Sequence, residues 1–173
     1  MSTRSRYYRT PLYPFGHGLS LTSWILEGDA PACLARLSTA VPLAPCQVQL
    51  SLRNTGALAG DSVVMAYFQL PGSHPAMQPQ PARNGGASLL APLKQLFGFQ
   101  RLTSIVAHGD GTTMVTFDVS PDDLAVPDLK SGDLTVEPGI YELRFEDGTG
   151  QVVMMPAVVS GPPVVLEKFP SMN

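Results

Sequence analysis

Short segments in which apolar and polar residues alternate recur along this chain, and glycine- and proline-rich turns separate them. In the clearest one, CQVQLSLRN (46–54), Val48, Leu50 and Leu52 share one face, and mostly polar side chains occupy the other. Because successive side chains of a strand point to opposite faces, this pattern predicts a strand with one buried face. Further strand-like segments follow at short intervals: SVVMAYFQL, LKQLFGFQRL and TTMVTFDV.

The last part of the chain adds a predicted hairpin, in which IYELRF (140–145) and QVVMMPAVV (151–159) flank the turn EDGTG. The segment SPDDL (120–124) predicts a single helical turn with Ser120 as its N-cap and Pro121 at its first position. About seven strands separated by turns predict an all-β fold, a two-sheet antiparallel sandwich in which each sheet covers the apolar face of the other.

This pattern divides the chain into three parts. Residues 1–24 form a predicted N-terminal extension that resembles a linker, residues 25–159 the sandwich, and residues 160–173 a tail without periodicity. Within the sandwich, residues 71–92 contain five prolines and three glycines. Such a composition is typical of a long surface loop.

Charge and hydropathy exclude two classes of function. The formal net charge is −3, and no basic cluster exists beyond Arg4, Arg6 and Arg9, so we expect no nucleic-acid partner. No apolar run is long enough to cross a bilayer, so we expect no membrane span. The first twenty residues also lack the apolar core of a secretory signal peptide.

The sequence contains no evident catalytic or metal-binding arrangement. His17 lies near Ser20 in GHGLS, but the G-x-S-x-G pattern of a nucleophile elbow is absent, so both are interpreted as turn and packing residues. His74 and His108 are expected to be solvated, and no histidine has a neighbour at ligand spacing. The carboxylates lie in turns or at outward strand positions, where solvation explains them better than the paired geometry of a glycosidase. We therefore predict no catalytic residue, no metal and no cofactor.

The two cysteines, Cys33 and Cys46, leave two interpretations open. Their separation permits a disulfide in an oxidising compartment. Two unpaired thiols are an equally good interpretation, and the pair lacks the spacing of a metal site.

Four blocks of sequence occur in the order known from one protein family. They are RYYRTPLYPFGHGLSLTSW, LRNTGALAGDSVVMAYF, PLKQLFGFQRL, and TTMVTFDVSPDDLAVPD with VEPGIYELRF. Together they resemble the C-terminal, fibronectin type III-like domain of family 3 glycoside hydrolases, the β-glucosidases and β-xylosidases. The resemblance covers residues 6–147, although Leu21 stands where the family usually has tyrosine and residues 25–45 match poorly.

The resemblance implies a fibronectin type III or immunoglobulin-like sandwich that is not itself an enzyme. In the family, the catalytic aspartate and glutamate lie on domains that precede this region, and no residue here matches either motif. The implied role is to dock against and stabilise the catalytic domains of an enzyme that hydrolyses terminal β-linked glucose or xylose. The family is largely secreted or vacuolar, which would be the localisation here if the chain follows the family, but the sequence shows no signal peptide and leaves the localisation open.

The first block supplies the candidate docking residues. Its aromatic side chains offer large apolar area that a partner surface can cover. The predicted docking residues are Tyr13, Pro14, Phe15, His17, Leu19 and Trp24.

Two alternatives to this docking role remain open. A chain that begins with Met is compatible with a stand-alone structural or interaction subunit of a larger assembly. The second alternative is a carbohydrate-binding module, since such modules use rows of exposed aromatic rings. The strand positions of Tyr67, Phe68, Phe97 and Phe99 mix both faces, however, so core packing is the favoured interpretation.

Overall fold

The computed structural model describes residues 12, 18, 20–28, 37–38, 46–78, 80–81, 87–88, 94–108 and 112–170. Two short 3-10 helices, Pro75–Met77 and Pro121–Leu124, accompany the strands. In chain order the strands are Trp24–Gly28 (β1), Leu37–Ser38 (β2), Cys46–Asn54 (β3), Gly60–Gln69 (β4), Gln80–Pro81 (β5), Ala87–Ser88 (β6), Gln95–Ile105 (β7), Thr113–Val119 (β8), Val126–Pro127 (β9), Leu134–Val136 (β10), Gly139–Glu146 (β11), Val152–Ser160 (β12) and Val164–Glu167 (β13).

Two sheets pack face to face. The first has the order β1-β3-β8, and the second has the order β2-β12-β11-β4-β7, with β2 as a short parallel strand at its edge. Among the described residues, seven strands are five residues or longer, and all seven belong to these two sheets. The predicted antiparallel sandwich of about seven strands is therefore confirmed.

The inward side chains of both sheets form one core. Val48, Leu50 and Leu52 are fully buried, as the alternation in β3 predicts. Across the sandwich, the ring of Phe117 lies 5.4 Å from that of Phe145 and 6.5 Å from that of Phe97. These three rings link the first sheet to the second near the middle of the core.

The start of β11 carries a buried tyrosine with a specific hydrogen bond. Tyr141 is fully buried, and its hydroxyl donates to the backbone carbonyl of Glu137, 2.9 Å away. Burial raises the pKa of Tyr141 to about 12, so the hydroxyl keeps its proton at any physiological pH. A tyrosine that bonds back to the chain a few residues upstream is the tyrosine corner of immunoglobulin-like sandwiches.

Substitution of Tyr141 with phenylalanine removes only this hydroxyl. We expect the free energy of unfolding to fall by about 1–2 kcal/mol, because the carbonyl of Glu137 loses its donor. Urea denaturation measures the change. The control is Tyr67→Phe, because the partly buried hydroxyl of Tyr67 donates to the sulfur of Met65, a weak acceptor. We expect this control to change the free energy of unfolding by less than about 0.5 kcal/mol. Equal effects of the two substitutions would contradict this assignment.

The predicted helical turn is also present. The carboxylate of Asp123 accepts hydrogen bonds from the backbone N–H and the hydroxyl of Ser120, each at 2.8 Å. Pro121 begins the turn, as its fixed backbone angle favours.

The structure corrects the prediction for the start of the 71–92 loop. Pro71, His74 and Ala76 are buried, so residues 71–78 pack against the sandwich, and His74 is not solvated. His108, in contrast, is exposed, as predicted. Much of residues 79–92 lies outside the described residues.

Two further expectations need correction. In the predicted tail, Val164–Glu167 (β13) pairs antiparallel with β10, and β9 pairs on the other side of β10, so this segment adds a small third sheet.

Asp147 is not solvated but only 6% exposed, and its carboxylate accepts hydrogen bonds from Thr149 and Gln151 in the hairpin turn. Turn chemistry accounts for this carboxylate.

Cys46 begins β3 and is disulfide-bonded. The sequence has one other cysteine, Cys33, which lies outside the described residues. Of the two interpretations of the cysteines, the structure supports the disulfide.

Candidate functional site

The N-terminal segment joins the sandwich at one end, where several loops meet around a single side chain. β1 begins at Trp24, which pairs with Asn54 at the end of β3. We name this end the junction, and it comprises residues 20–23, 54–58 and 105–108. The junction is the place where anything that precedes the sandwich in the chain must attach.

The amide of Asn54 connects all three segments of the junction. Its side-chain nitrogen donates to the carbonyls of Leu58 (2.8 Å) and Ile105 (3.2 Å). Its oxygen accepts from the hydroxyl of Thr22 (2.6 Å) and the backbone N–H of Gly56 (3.0 Å). These four bonds use both donors and both acceptor positions of the amide, which suits a side chain that is only 1% exposed.

The Asn-Thr-Gly sequence at 54–56 fits this geometry residue by residue. The backbone N–H of Thr55 donates to the carbonyl of Ser23, 2.8 Å away. Gly56 lies directly against the incoming segment, because a Cβ there would lie 2.6 Å from the backbone nitrogen of Ser23 and closer still to the hydroxyl of Thr22. A larger residue at position 56 would push residues 22 and 23 away from Asn54.

Ser20 and Trp24 complete the junction from the N-terminal side. The indole N–H of Trp24 donates to the hydroxyl of Ser20 (2.9 Å), which itself donates to the carbonyl of Thr22 (3.0 Å). The Ser20 hydroxyl is therefore engaged in local structure, consistent with its interpretation as a turn and packing residue.

The structure also corrects the expectation for Trp24, whose side chain is only 4% exposed and belongs to the core. Its ring does not supply docking area. The other predicted docking residues, Tyr13, Pro14, Phe15, His17 and Leu19, lie outside the described residues, so their role stays a prediction.

Three aliphatic side chains at the junction point into solvent. Leu21 is 86% exposed, Leu58 54% and Val106 61%. Leu58 supplies one of the carbonyls to which Asn54 donates. Leu21 precedes Thr22, and Val106 follows Ile105, both of which are hydrogen-bonded to Asn54. We name Leu21, Leu58 and Val106 the junction patch. No periodic pattern in the sequence predicts this patch, because its members come from three separate turns.

A charged pair lies beside the junction. Arg101 donates to one carboxylate oxygen of Asp61 (2.8 Å), and the backbone N–H of Ser104 donates to the other (3.0 Å). The hydrogen bond from Arg101, followed by that from Ser104, lowers the pKa of Asp61. Ser104 has a left-handed backbone, with φ of 57°, and the Asp61 carboxylate holds this turn at the end of β7. The pair joins two of the sequence blocks that carry the family resemblance.

The aromatic residues considered for carbohydrate binding divide between the two faces of the second sheet. Phe68 and Phe97 contribute to the core, whereas Phe99 is 67% exposed on the outer face. The ring of Tyr67 is covered by Lys94, whose Nζ lies 4.1 Å from the ring centroid and 2.6 Å from a carboxylate oxygen of Glu146. Tyr67 and Phe99 therefore do not form an open aromatic row, and core packing is confirmed for the other two.

Within the part of the chain that the structure describes, no three His, Cys, Asp or Glu side chains come together as a metal site would require. In the same residues, no helix is long and apolar enough to cross a membrane. Three of the described carboxylates, Asp61, Asp123 and Asp147, instead hold local turns.

The topology, the tyrosine corner and the seven-stranded core define a sandwich of the fibronectin type III class. Residues 62–148 match the family model of the fibronectin type III-like domain, and the chain belongs to this family.

Relatives of the chain are glycosidases. Probable β-glucosidase L of Aspergillus fumigatus is 32% identical over 145 residues, which cover 77% of this chain and 17% of that protein. A β-xylosidase of Formosa agariphila is 32% identical over 140 residues, covering 78% of this chain and 16% of that protein. The solved structure of a β-glucosidase from Erythrobacter marinus matches with a TM-score of 0.60 and 27% identity, over 90% of this chain and 18% of that one.

These matches confirm the resemblance to the fibronectin type III-like domain of family 3 glycoside hydrolases. The chain spans 17% and 16% of the length of the two curated relatives.

Proposed function

We propose that this chain is a non-catalytic accessory domain that docks against the catalytic part of a β-glucosidase or β-xylosidase and stabilises it. The observation that supports the proposal is the junction, where Asn54 fixes the incoming segment beside an exposed apolar patch. The matched glycosidases extend far beyond the region that this chain covers, so a sandwich of this kind has a large neighbour in those proteins.

The position of the patch favours docking at this end. A neighbouring domain that is attached through residues 1–19 is held close to the junction, at a high effective concentration. The far end of the sandwich lies about 30 Å away, at roughly 3.3 Å per residue along strands such as the ten-residue β4.

The rigidity of the junction lowers the cost of docking. Asn54 already fixes the backbone on which Leu21, Leu58 and Val106 stand, so little conformational entropy remains to be lost there. Docking that covers these side chains gains about 25 cal/mol for each Å² of apolar area removed from water. The predicted docking residues Tyr13, Pro14, Phe15, His17 and Leu19 immediately precede the patch, and we propose that they extend the same contact.

A chimera tests this proposal. The chain replaces the matching region of β-glucosidase L from Aspergillus fumigatus, and the thermal midpoint of the chimera is compared with that of its Leu58→Ser/Val106→Ser variant. We expect this double substitution to lower the midpoint of the chimera, because apolar contact with the neighbouring domain is lost. In the isolated chain the same substitutions are expected to change the free energy of unfolding by less than about 0.5 kcal/mol each, since both side chains are exposed.

The matched control lies on the outer face of the second sheet, where Leu96 (53% exposed) and Phe99 (67% exposed) offer similar apolar area. Leu96→Ser/Phe99→Ser is expected to leave the midpoint of the chimera unchanged. A larger effect of this control than of the junction variant would place the contact on the sheet face. No effect of either variant would favour a stand-alone interaction subunit.

A further inference from the structure

A buried histidine lies at the end of the sandwich opposite the junction. β4 begins at the junction with Gly60 and ends at Gln69, and His74 follows in the next turn. His74 is only 7% exposed, and its Nδ1 accepts a hydrogen bond from the backbone N–H of Ala76, 3.1 Å away. This contact caps the 3-10 helix Pro75–Met77.

The surrounding segment, residues 71–78, is held by short-range bonds, and we name it the His74 turn. The backbone N–H of His74 donates to the carbonyl of Pro71 (2.8 Å), and that of Met77 donates to the carbonyl of His74 (2.9 Å). The side chain of Gln78 donates to the carbonyl of Gly72 (2.7 Å). Among these bonds, only the one at Nδ1 depends on the protonation state of a side chain.

The imidazole must be neutral for this bond to exist. An Nδ1 that accepts has a free lone pair, so the ring proton is on Nε2. When solvent supplies a proton to Nδ1, two N–H groups face each other and the cap is lost. The turn therefore has one arrangement with neutral His74 and must adopt another when the ring is charged.

Two carboxylates of neighbouring segments act on the charge of His74. Glu137 lies between β10 and β11, and Asp128 lies between β9 and β10. Both favour a charged imidazole, but burial opposes it more strongly and lowers the pKa of His74 below its ordinary value of 6.5. Asp128 stays ionised, because hydrogen bonds from Ser131 and Lys130 lower the pKa of its own carboxyl. The charge of a protonated ring is thus favoured by two carboxylates.

We propose that the His74 turn is pH-sensitive: protonation of the imidazole breaks the Nδ1 bond to Ala76 and loosens residues 71–78. Because the folded state binds this proton less readily than the unfolded state, the contribution of the cap to stability is complete above pH 6.5. It decreases as the pH falls below 6.5 towards the folded-state pKa.

Amide hydrogen exchange of the complete chain, followed by NMR, tests the proposal. The protection factor of the Ala76 amide, corrected for the intrinsic exchange rate, is compared at pH 7.5 and pH 5.0. We expect the protection factor of the wild-type protein to be lower at pH 5.0 than at pH 7.5. In His74→Asn, the side-chain oxygen can accept from Ala76 but does not titrate, so the protection is expected to vary little with pH.

His108→Asn is the matched control, because His108 is exposed and its left-handed backbone (φ of 46°) tolerates asparagine. This variant is expected to keep the wild-type pH response. Equal protection of Ala76 at both pH values, or a wild-type response in His74→Asn, would overturn the proposal. A direct NMR titration of the wild-type imidazole covers the case in which His74→Asn fails to fold. A midpoint below 6.5 supports the proposal, and a midpoint at or above 6.5 refutes it.

Discussion

Phe145→Ala is expected to lower the free energy of unfolding by about 3–5 kcal/mol, the range typical of a phenylalanine removed from a packed core. The Phe145 side chain is fully buried, and its ring lies 5.4 Å from Phe117 and 6.3 Å from Phe97. The substitution leaves a cavity between the two sheets that neither neighbouring ring can fill without leaving its own contacts. Urea denaturation measures the change, and for a chain of this length each kcal/mol lowers the melting temperature by roughly 2–4 °C.

Phe99→Ala provides the comparison. Phe99 lies in β7, two residues beyond Phe97, but its side chain is 67% exposed on the outer face. We expect its removal to change stability by less than about 0.5 kcal/mol. A cost at Phe145 below about 1.5 kcal/mol, or costs of similar size at the two positions, would show that these rings do not form the structural centre of the sandwich.

The core was predictable from sequence because the buried side chains of a strand follow the alternation of apolar and polar residues. Val48, Leu50 and Leu52 repeat with the period of a strand, and the structure buries all three completely. The turn EDGTG and its flanking segments also predicted the hairpin of β11 and β12, which pair antiparallel in the second sheet. Once two sheets with one apolar face each are present, packing those faces together is the solution that removes them from water.

The burial of polar residues was not predictable in this way. Asn54 is 32 residues from Thr22 and 51 residues from Ile105 in sequence, and the value of each hydrogen bond depends on loops that only the folded chain brings together. Asn-Thr-Gly is also an ordinary turn sequence. The family resemblance was the one signal that pointed to this block, and it did so without indicating what the asparagine contacts.

The structures of the segment around His74 and of β13 were also not predictable from the local sequence. Prolines and glycines around His74 predicted a surface loop, yet Pro71, His74 and Ala76 are all buried. In β13, most side chains are exposed, so no alternation marks Val164–Glu167 as a strand. Backbone pairing with β10 alone forms it. In both segments, contacts with distant parts of the chain determine the structure.

Asn54→Ala is expected to lower the free energy of unfolding by about 3 kcal/mol and to release the incoming segment from the sandwich. The amide makes four hydrogen bonds, and its loss leaves the buried carbonyl of Ile105 and the half-buried N–H of Gly56 without their side-chain partner. The amide of Thr55, which donates to Ser23, reports the release as faster hydrogen exchange. Gln47→Ala is the matched control, because Gln47 lies in the same strand and its exposed amide donates to Asp118. We expect it to change the free energy of unfolding by less than about 0.5 kcal/mol.

A double-mutant cycle with Thr22→Val separates the role of Asn54 in the junction from its role within the sandwich. Thr22→Val alone removes one bond and is expected to cost about 1 kcal/mol. If Asn54 acts through Thr22, the double variant costs less than the sum of the two single variants, by about 0.5–1 kcal/mol. Strict additivity would mean that Asn54 stabilises the loops at 58 and 105 independently of the N-terminal segment. In that case the junction patch would lack a common fixed support, and the proposed docking surface would have to form on binding rather than before it.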